Sequence, residues 1–186
     1  ELHRQDPGDA GALLGIARVA ISGGELDQAG EAIDSALALA PDDPNTLTAR
    51  GLYRLRRADH AGAQSDLETA LRKMPGDPEA LFGLALLARR AGKIDDSLAR
   101  LRDALKASPG HSGARTLSGL ILAEREDCAE AIPLLADSAA SDPSDMTTRA
   151  ALIRCYVKAG RPEQAERERR MADRILNREP GTSGTP

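Results

Sequence analysis

Aromatic side chains are nearly missing from this chain: they make up 2% of 186 residues, with no tryptophan and only Tyr53, Phe82 and Tyr156. Strand-favouring runs of Val, Ile, Thr and Tyr are missing too, whereas alanine, leucine, arginine and the acids dominate, a composition that favours helices. No one sign of charge prevails. The formal net charge is -4 with both signs dispersed, so no global basic field draws the chain to nucleic acid or to an anionic membrane. All but four of the 25 basic residues are arginine, which follows as readily from GC-rich coding as from anion recognition and so carries weight only where arginines cluster. No run of about 18 apolar residues exists, and membrane insertion is therefore not expected. The two cysteines form neither a disulfide framework nor a paired-thiol metal spacing. Cys128 and Cys155 are expected to be small packing residues rather than reactive thiols, and they decide no compartment. The chain opens at Glu1 with neither Met nor a signal-peptide pattern, so any targeting sequence is expected upstream.

What is present is a period. Pro7, Pro41, Pro75, Pro109 and Pro143 are each 34 residues apart, and other residue types keep the same register. Small residues recur at Ala29, Ala63, Ser97, Ala131 and Ala165 and again at Ala36, Ala70, Ala104, Ser138 and Ala172, with Ile33, Leu67, Leu101 and Leu135 between them. Spacings of four and seven place these residues on one face of a helix. A preceding helix aligns Leu13, Leu47 and Leu81, followed by Ala17, Gly51, Ala85 and Gly119. Small side chains there let two helices approach closely.

The turns punctuate this pattern. Each proline is followed by a polar pair, among them Asp42-Asp43 and Gly76-Asp77. Asp9, Asp43, Asp77 and Asp145 are suited to cap the next helix, with Pro44 and Pro78 at its first position, where a missing N–H costs nothing. Gly24, Gly92 and Gly160 break the chain midway through the period. Each unit therefore reads as helix, tight turn, helix, proline stop.

These residues resemble the tetratricopeptide repeat family. The segment from Pro78 to His111 is most similar, carrying Leu81, Leu84, Ala85, Ala88, Gly92, Ser97, Leu101, Ala104 and Pro109 at the family's large, small and stop positions. The resemblance implies an all-α, right-handed solenoid of stacked helix-turn-helix repeats at residues 10–43, 44–77, 78–111, 112–145 and 146–179. Residues 1–9 are expected to be the tail of a truncated upstream repeat, and residues 180–186 a flexible tail or linker. The last helix, charged on most faces, is expected to be a solvated cap.

Constellations that could carry chemistry are few. His3, His60 and His111 lie in different repeats, and none is three or four residues from another His or Cys, so no metal site is expected. No Gly-rich phosphate loop and no nucleophile elbow is present. Nothing here supports catalysis or a cofactor. Arg50 and Arg54 occupy core-facing places. The expectation is that they snorkel, with stem buried and head in solvent, in preference to a buried pair with an acid such as Asp66. Pro133 falls inside a predicted helix and is expected to kink or shorten it.

The resemblance implies a scaffold or adaptor that binds another polypeptide along the face of the first helices. Two other readings remain: a non-catalytic arm of a larger enzyme such as a transferase, and self-association through the solenoid ends. The family's groove rule selects Leu14, Ile21, Leu52, Leu55, Phe82, Leu86, Leu117, Leu120 and Val157. It also selects Arg18, Arg56, Arg89, Arg90, Arg154 and Lys158, against only Glu79 and Glu124. The Lys and Asn arrangement with which some members clamp a carboxylate terminus is not reproduced. A partner segment with apolar anchors and acidic flanks is expected instead.

Overall fold

The computed structural model describes residues 9–177, so the expectations for residues 1–8, including His3 and Pro7, and for residues 180–186 lie outside the described residues. The described residues form ten helices: α1 (Ala10–Gly23), α2 (Leu26–Leu39), α3 (Pro44–Arg56), α4 (His60–Lys73), α5 (Pro78–Arg90), α6 (Ile94–Ala107), α7 (Ser112–Glu124), α8 (Cys128–Ser141), α9 (Met146–Lys158) and α10 (Pro162–Leu176). The fold is an all-α helical-repeat solenoid in which two helices fall within each period of 34 residues. It divides into two compact units, one ending at Pro109 and the other beginning at Gly110.

In the first unit α1 pairs with α2, α3 with α4 and α5 with α6, while α1, α3 and α5 also pack side by side. The register that carries the period is the buried one. Ala17, Ala29, Ala36, Ala63, Leu67, Ala85, Ser97 and Leu101 are wholly inaccessible. Close helix approach explains the small residues: a Cβ added at Gly51 would lie 2.6 Å from Leu67 Cγ, well inside van der Waals contact. Asp43 and Asp77 accept from the backbone N–H of Thr46 and Glu79 at their helix starts, as their position predicts. At the midway turns, Gly24 (φ 81°) and Gly92 (φ 73°) take the left-handed conformation; in the same register Ala58 takes it without the freedom of glycine, at φ 60°.

Arg50 and Arg54 do not merely snorkel. Both converge on Asp66, which is 4% exposed. The expectation of unpaired heads in solvent is therefore corrected: the guanidiniums remain about one-third exposed, yet each holds the buried carboxylate at 2.7 Å. The physical reason is Asp66, whose buried charge needs donors that only these two long side chains supply.

The second unit repeats the scheme with α7 on α8, α8 on α9 and α9 on α10. Here a Cβ on Gly119 would come within 2.8 Å of Leu135 Cδ2. In this unit the expected shortening at Pro133 and the expected free thiols both fail. Helix α8 runs unbroken from Cys128 through Pro133 to Ser141, so Pro133 does not shorten it. Proline withholds a single bond, to the carbonyl of Ala129, and Ala129 lies in the exposed first turn where water can satisfy that oxygen. Cys128 and Cys155 are not free packing thiols; they are joined as a disulfide, with Cα atoms 5.0 Å apart. Their spacing of 27 residues matches no short motif. The bond arises because the start of α8 lies against α9.

His111 replaces the capping aspartate at α7, its Nδ1 accepting from the N–H of Ala114 at 3.1 Å. Arg149 on α9 is 3% exposed and is held by Glu168 of α10 and by the carbonyls of Ala139 and Pro143. Helix α10 otherwise buries only Ala165.

Candidate functional site

The face of the first unit built by α1, α3 and α5 carries two cavities of about 640 Å³ each. Alternation along each helix produces them: residues facing α2, α4 and α6 are the buried small and large residues of the core, and the next positions around the helix are left half-buried on the open side. Leu52, Phe82 and Leu86 are such residues.

One cavity is lined by Arg18, Ile21 and Ser22 of α1, Leu52, Leu55 and Arg56 of α3, His60 of α4, and Glu79, Phe82, Leu86, Leu87 and Arg90 of α5. Nine of the residues selected from sequence, Arg18, Ile21, Leu52, Leu55, Arg56, Glu79, Phe82, Leu86 and Arg90, are thus brought together. Arg89 is half-buried on α5 and does not line this cavity. Arg18, Arg56 and Arg90 are exposed and have no ion-pair or hydrogen-bond partner among the described residues. Three guanidiniums without a partner among the described residues, against the single carboxylate of Glu79, give an apolar floor a net positive rim that attracts carboxylates while burying hydrocarbon.

His60 was not selected from sequence. Both its ring nitrogens are buried without a hydrogen-bond partner among the described residues. A signal existed: its place in the period is held elsewhere by Leu26, Ile94, Cys128 and Pro162, so a polar ring there stands out.

The second cavity lies toward the helix starts, lined by Ala10, Gly11, Leu14, Ala40, Asp43, Asn45, Thr48, Ala49, Asp77 and Pro78, and it shares Arg18, Leu52 and Glu79 with the first. Asp77 is 7% exposed and accepts from the Thr48 hydroxyl at 2.6 Å and from the Glu79 N–H at 3.2 Å.

The remaining selected residues belong to the second unit and are placed differently. Leu117 is buried in α7, and Leu120 is half-buried against the core of α8 and α9. Arg154 is exposed on α9. Lys158 pairs with Glu126 and lines a separate cavity with Cys128, Ile132, Pro133 and Arg161. That pairing holds the Glu126 carboxyl below its ordinary range, through the hydrogen bond from Lys158 first and its charge second. Among the described residues no group of His, Cys, Asp and Glu is arranged to hold a metal ion, and no helix is long and apolar enough to cross a membrane.

Known proteins share this architecture. One tetratricopeptide-repeat profile matches residues 48–112 and 84–146, and a second matches residues 1–52 and 122–180. No curated protein sequence matches the chain. Among solved structures, the chain is similar to YrrB, described as "a TPR protein with an unusual peptide-binding site", at 20% identity, covering 94% of this chain and 90% of that one with a TM-score of 0.62. It is also similar to PilF of Pseudomonas aeruginosa (14% identity, 89% and 75% covered, TM-score 0.72) and to a thermophilic TPR protein, TTC0263, of Thermus thermophilus (19%, 91% and 93%, TM-score 0.66). At such identities the likeness concerns the fold, and it agrees with the period, the caps and the helix pairs in a single assignment: the chain belongs to the tetratricopeptide repeat family.

Proposed function

We propose that this protein is a non-catalytic adaptor whose first unit seats a partner's polypeptide segment on the face of α1, α3 and α5, with apolar anchors on Leu52, Phe82 and Leu86 and acidic flanks drawn by Arg56 and Arg90. Tetratricopeptide repeats are protein–protein interaction modules, and YrrB, a relative in fold, has a peptide-binding site. The observation that carries the reading is the single cavity lined by four helices in which an apolar floor meets three unpaired guanidiniums. Apolar area would supply most of the binding energy and the arginines the rate of encounter. Leu117, Leu120, Arg154 and Lys158 are proposed as the second unit's own contact positions, and Arg89 as a flanking charge of the first.

The test is selection of binders from a random peptide library, followed by calorimetry on the selected sequences. Phe82→Ala is expected to weaken them by about 1 to 3 kcal/mol, the loss of a central aromatic anchor. Peptides that bind with unchanged affinity after Phe82, Leu86, Arg89 and Arg90 are all replaced would place the binding site elsewhere.

A further inference from the structure

The two cavities on α1, α3 and α5 carry opposite net charge. Asp43 and Asp77 line only the cavity toward the helix starts; Arg56 and Arg90 line only the cavity toward the helix ends. Arg18, Leu52 and Glu79 line both, so the divider itself is neutral in sum and apolar at its centre.

The segregation is rooted in the repeat. Asp43 and Asp77 are N-caps of α3 and α5, and Arg56 and Arg90 are the last residues of the same helices, 34 residues apart in both cases. Acid at a helix start and base at a helix end also complement the helix dipole, so the fold tolerates this arrangement at no cost. Asp43 accepts from the Thr46 N–H and hydroxyl, and Asp77, 7% exposed, from the Glu79 N–H and the Thr48 hydroxyl; these bonds leave both carboxylates acting on the cavity chiefly through their charge. The Arg56 and Arg90 forks carry no internal partner among the described residues. Concave walls of low polarity focus both fields toward whatever lies across Leu52.

We infer that this face recognises a dipolar segment: basic residues over Asp43 and Asp77, an apolar centre across Leu52 and Phe82, and acidic residues over Arg56 and Arg90. The occupant is an extended peptide lying along the α3 and α5 axes from helix start to helix end, with its charges in blocks. This rests on the proposed seating of a partner segment on the same face and adds its orientation. A segment with acid at both ends would meet like charge at the helix starts, and charge mismatch of that kind is a strong source of discrimination.

The test uses two labelled synthetic peptides of identical composition and the whole chain. The first carries lysines at one end, leucine and alanine in the middle and glutamates at the other end. Its isomer carries one lysine and one glutamate at each end. Fluorescence anisotropy at low salt should show the blocked peptide binding about tenfold more tightly, with the preference fading as salt screens the charges. In Arg56→Glu/Arg90→Glu, checked for unchanged helicity by circular dichroism, the blocked peptide should lose its advantage to a third probe with lysines at both ends. Equal binding of the two isomers, lost in both cases on Phe82→Ala, overturns the dipolar inference and leaves the groove reading in place. Binding that ignores Phe82→Ala overturns both, and no binding by either isomer at millimolar concentration overturns the dipolar inference.

Discussion

Arg50 holds Asp66 by a two-pronged contact, Nε to Oδ2 and Nη2 to Oδ1, each 2.7 Å long. Arg54 adds a third bond to Oδ2 from one turn further along α3. The hydrogen bond to Asp66 raises the Arg50 pKa against the opposing effect of desolvation, so the guanidinium stays charged. Replacing Arg50 by leucine removes the partner of Oδ1 and leaves a buried carboxylate oxygen unsatisfied, which costs about 1 to 3 kcal/mol. Urea unfolding followed by far-UV circular dichroism should show that loss in Arg50→Leu, and Arg50→Leu/Asp66→Leu should recover part of it. A single mutant as stable as the parent would mean that Arg54 alone satisfies Asp66.

Two helical glycines make a matched contrast. Gly15 in α1 has open space where a Cβ would stand, whereas at Gly51 in α3 it would meet Leu67, which is wholly buried. Gly15→Ala should therefore stabilise the chain by about 0.5 to 1 kcal/mol through helix propensity. Gly51→Ala gains the same propensity but pushes α3 away from α4, for a net loss of about 1 to 2 kcal/mol. Denaturation midpoints moving the same way in both variants would contradict the packing assigned to Gly51.

Ala58 bears a left-handed backbone that glycine adopts at the matching turns. A side chain in that region costs roughly 1 to 2 kcal/mol, of which the greater freedom of glycine in the unfolded chain takes back about 0.4 to 1. Ala58→Gly should raise stability by about 0.5 to 1 kcal/mol, read as an upward shift of the thermal midpoint; a lower midpoint would show that the turn is not strained.

The period made the helices, their turns and most caps legible in the sequence, because each uses a residue type whose local physics is the same in every repeat: proline to stop, aspartate to cap, alanine or glycine where helices touch. What stayed illegible depends on one repeat departing from the others. Asp66 stands where the corresponding residues are Ala32, Arg100 and Leu134, only Glu168 of the last repeat being acidic too, and only the side-by-side packing of α3 and α4 reveals that Asp66 recruits Arg50 and Arg54. His111 could cap α7 because a ring nitrogen can accept as an aspartate oxygen does. The face of α1, α3 and α5 was readable as a list of residues, but the separation of its charges into two cavities required knowing which residues share a wall.

The disulfide between Cys128 and Cys155 obeys the same rule and leads to the last prediction. In the repeat register the two cysteines hold places that carry Leu26 and Tyr53 in the first repeats and His60 and Leu87 in the next, so the bond exists only where both places carry a thiol. In the second unit it ties α8 to α9 covalently, and α9 is the element on which α10 packs. Because α10 buries only Ala165 and is held by the Arg149–Glu168 pair, the terminal repeat has little apolar burial of its own. A cross-link closing a loop of this length contributes about 3 to 4 kcal/mol in the chain-entropy account. Thiol titration of the native chain should find no free thiol until a dithiol reductant is added. After reduction, amide exchange in α9 and α10 should accelerate by about tenfold or more while α3 and α4 in the first unit keep their protection. Two titratable thiols in the unreduced native protein, or exchange in α9 and α10 that reduction leaves unchanged, would return these cysteines to the role of packing residues.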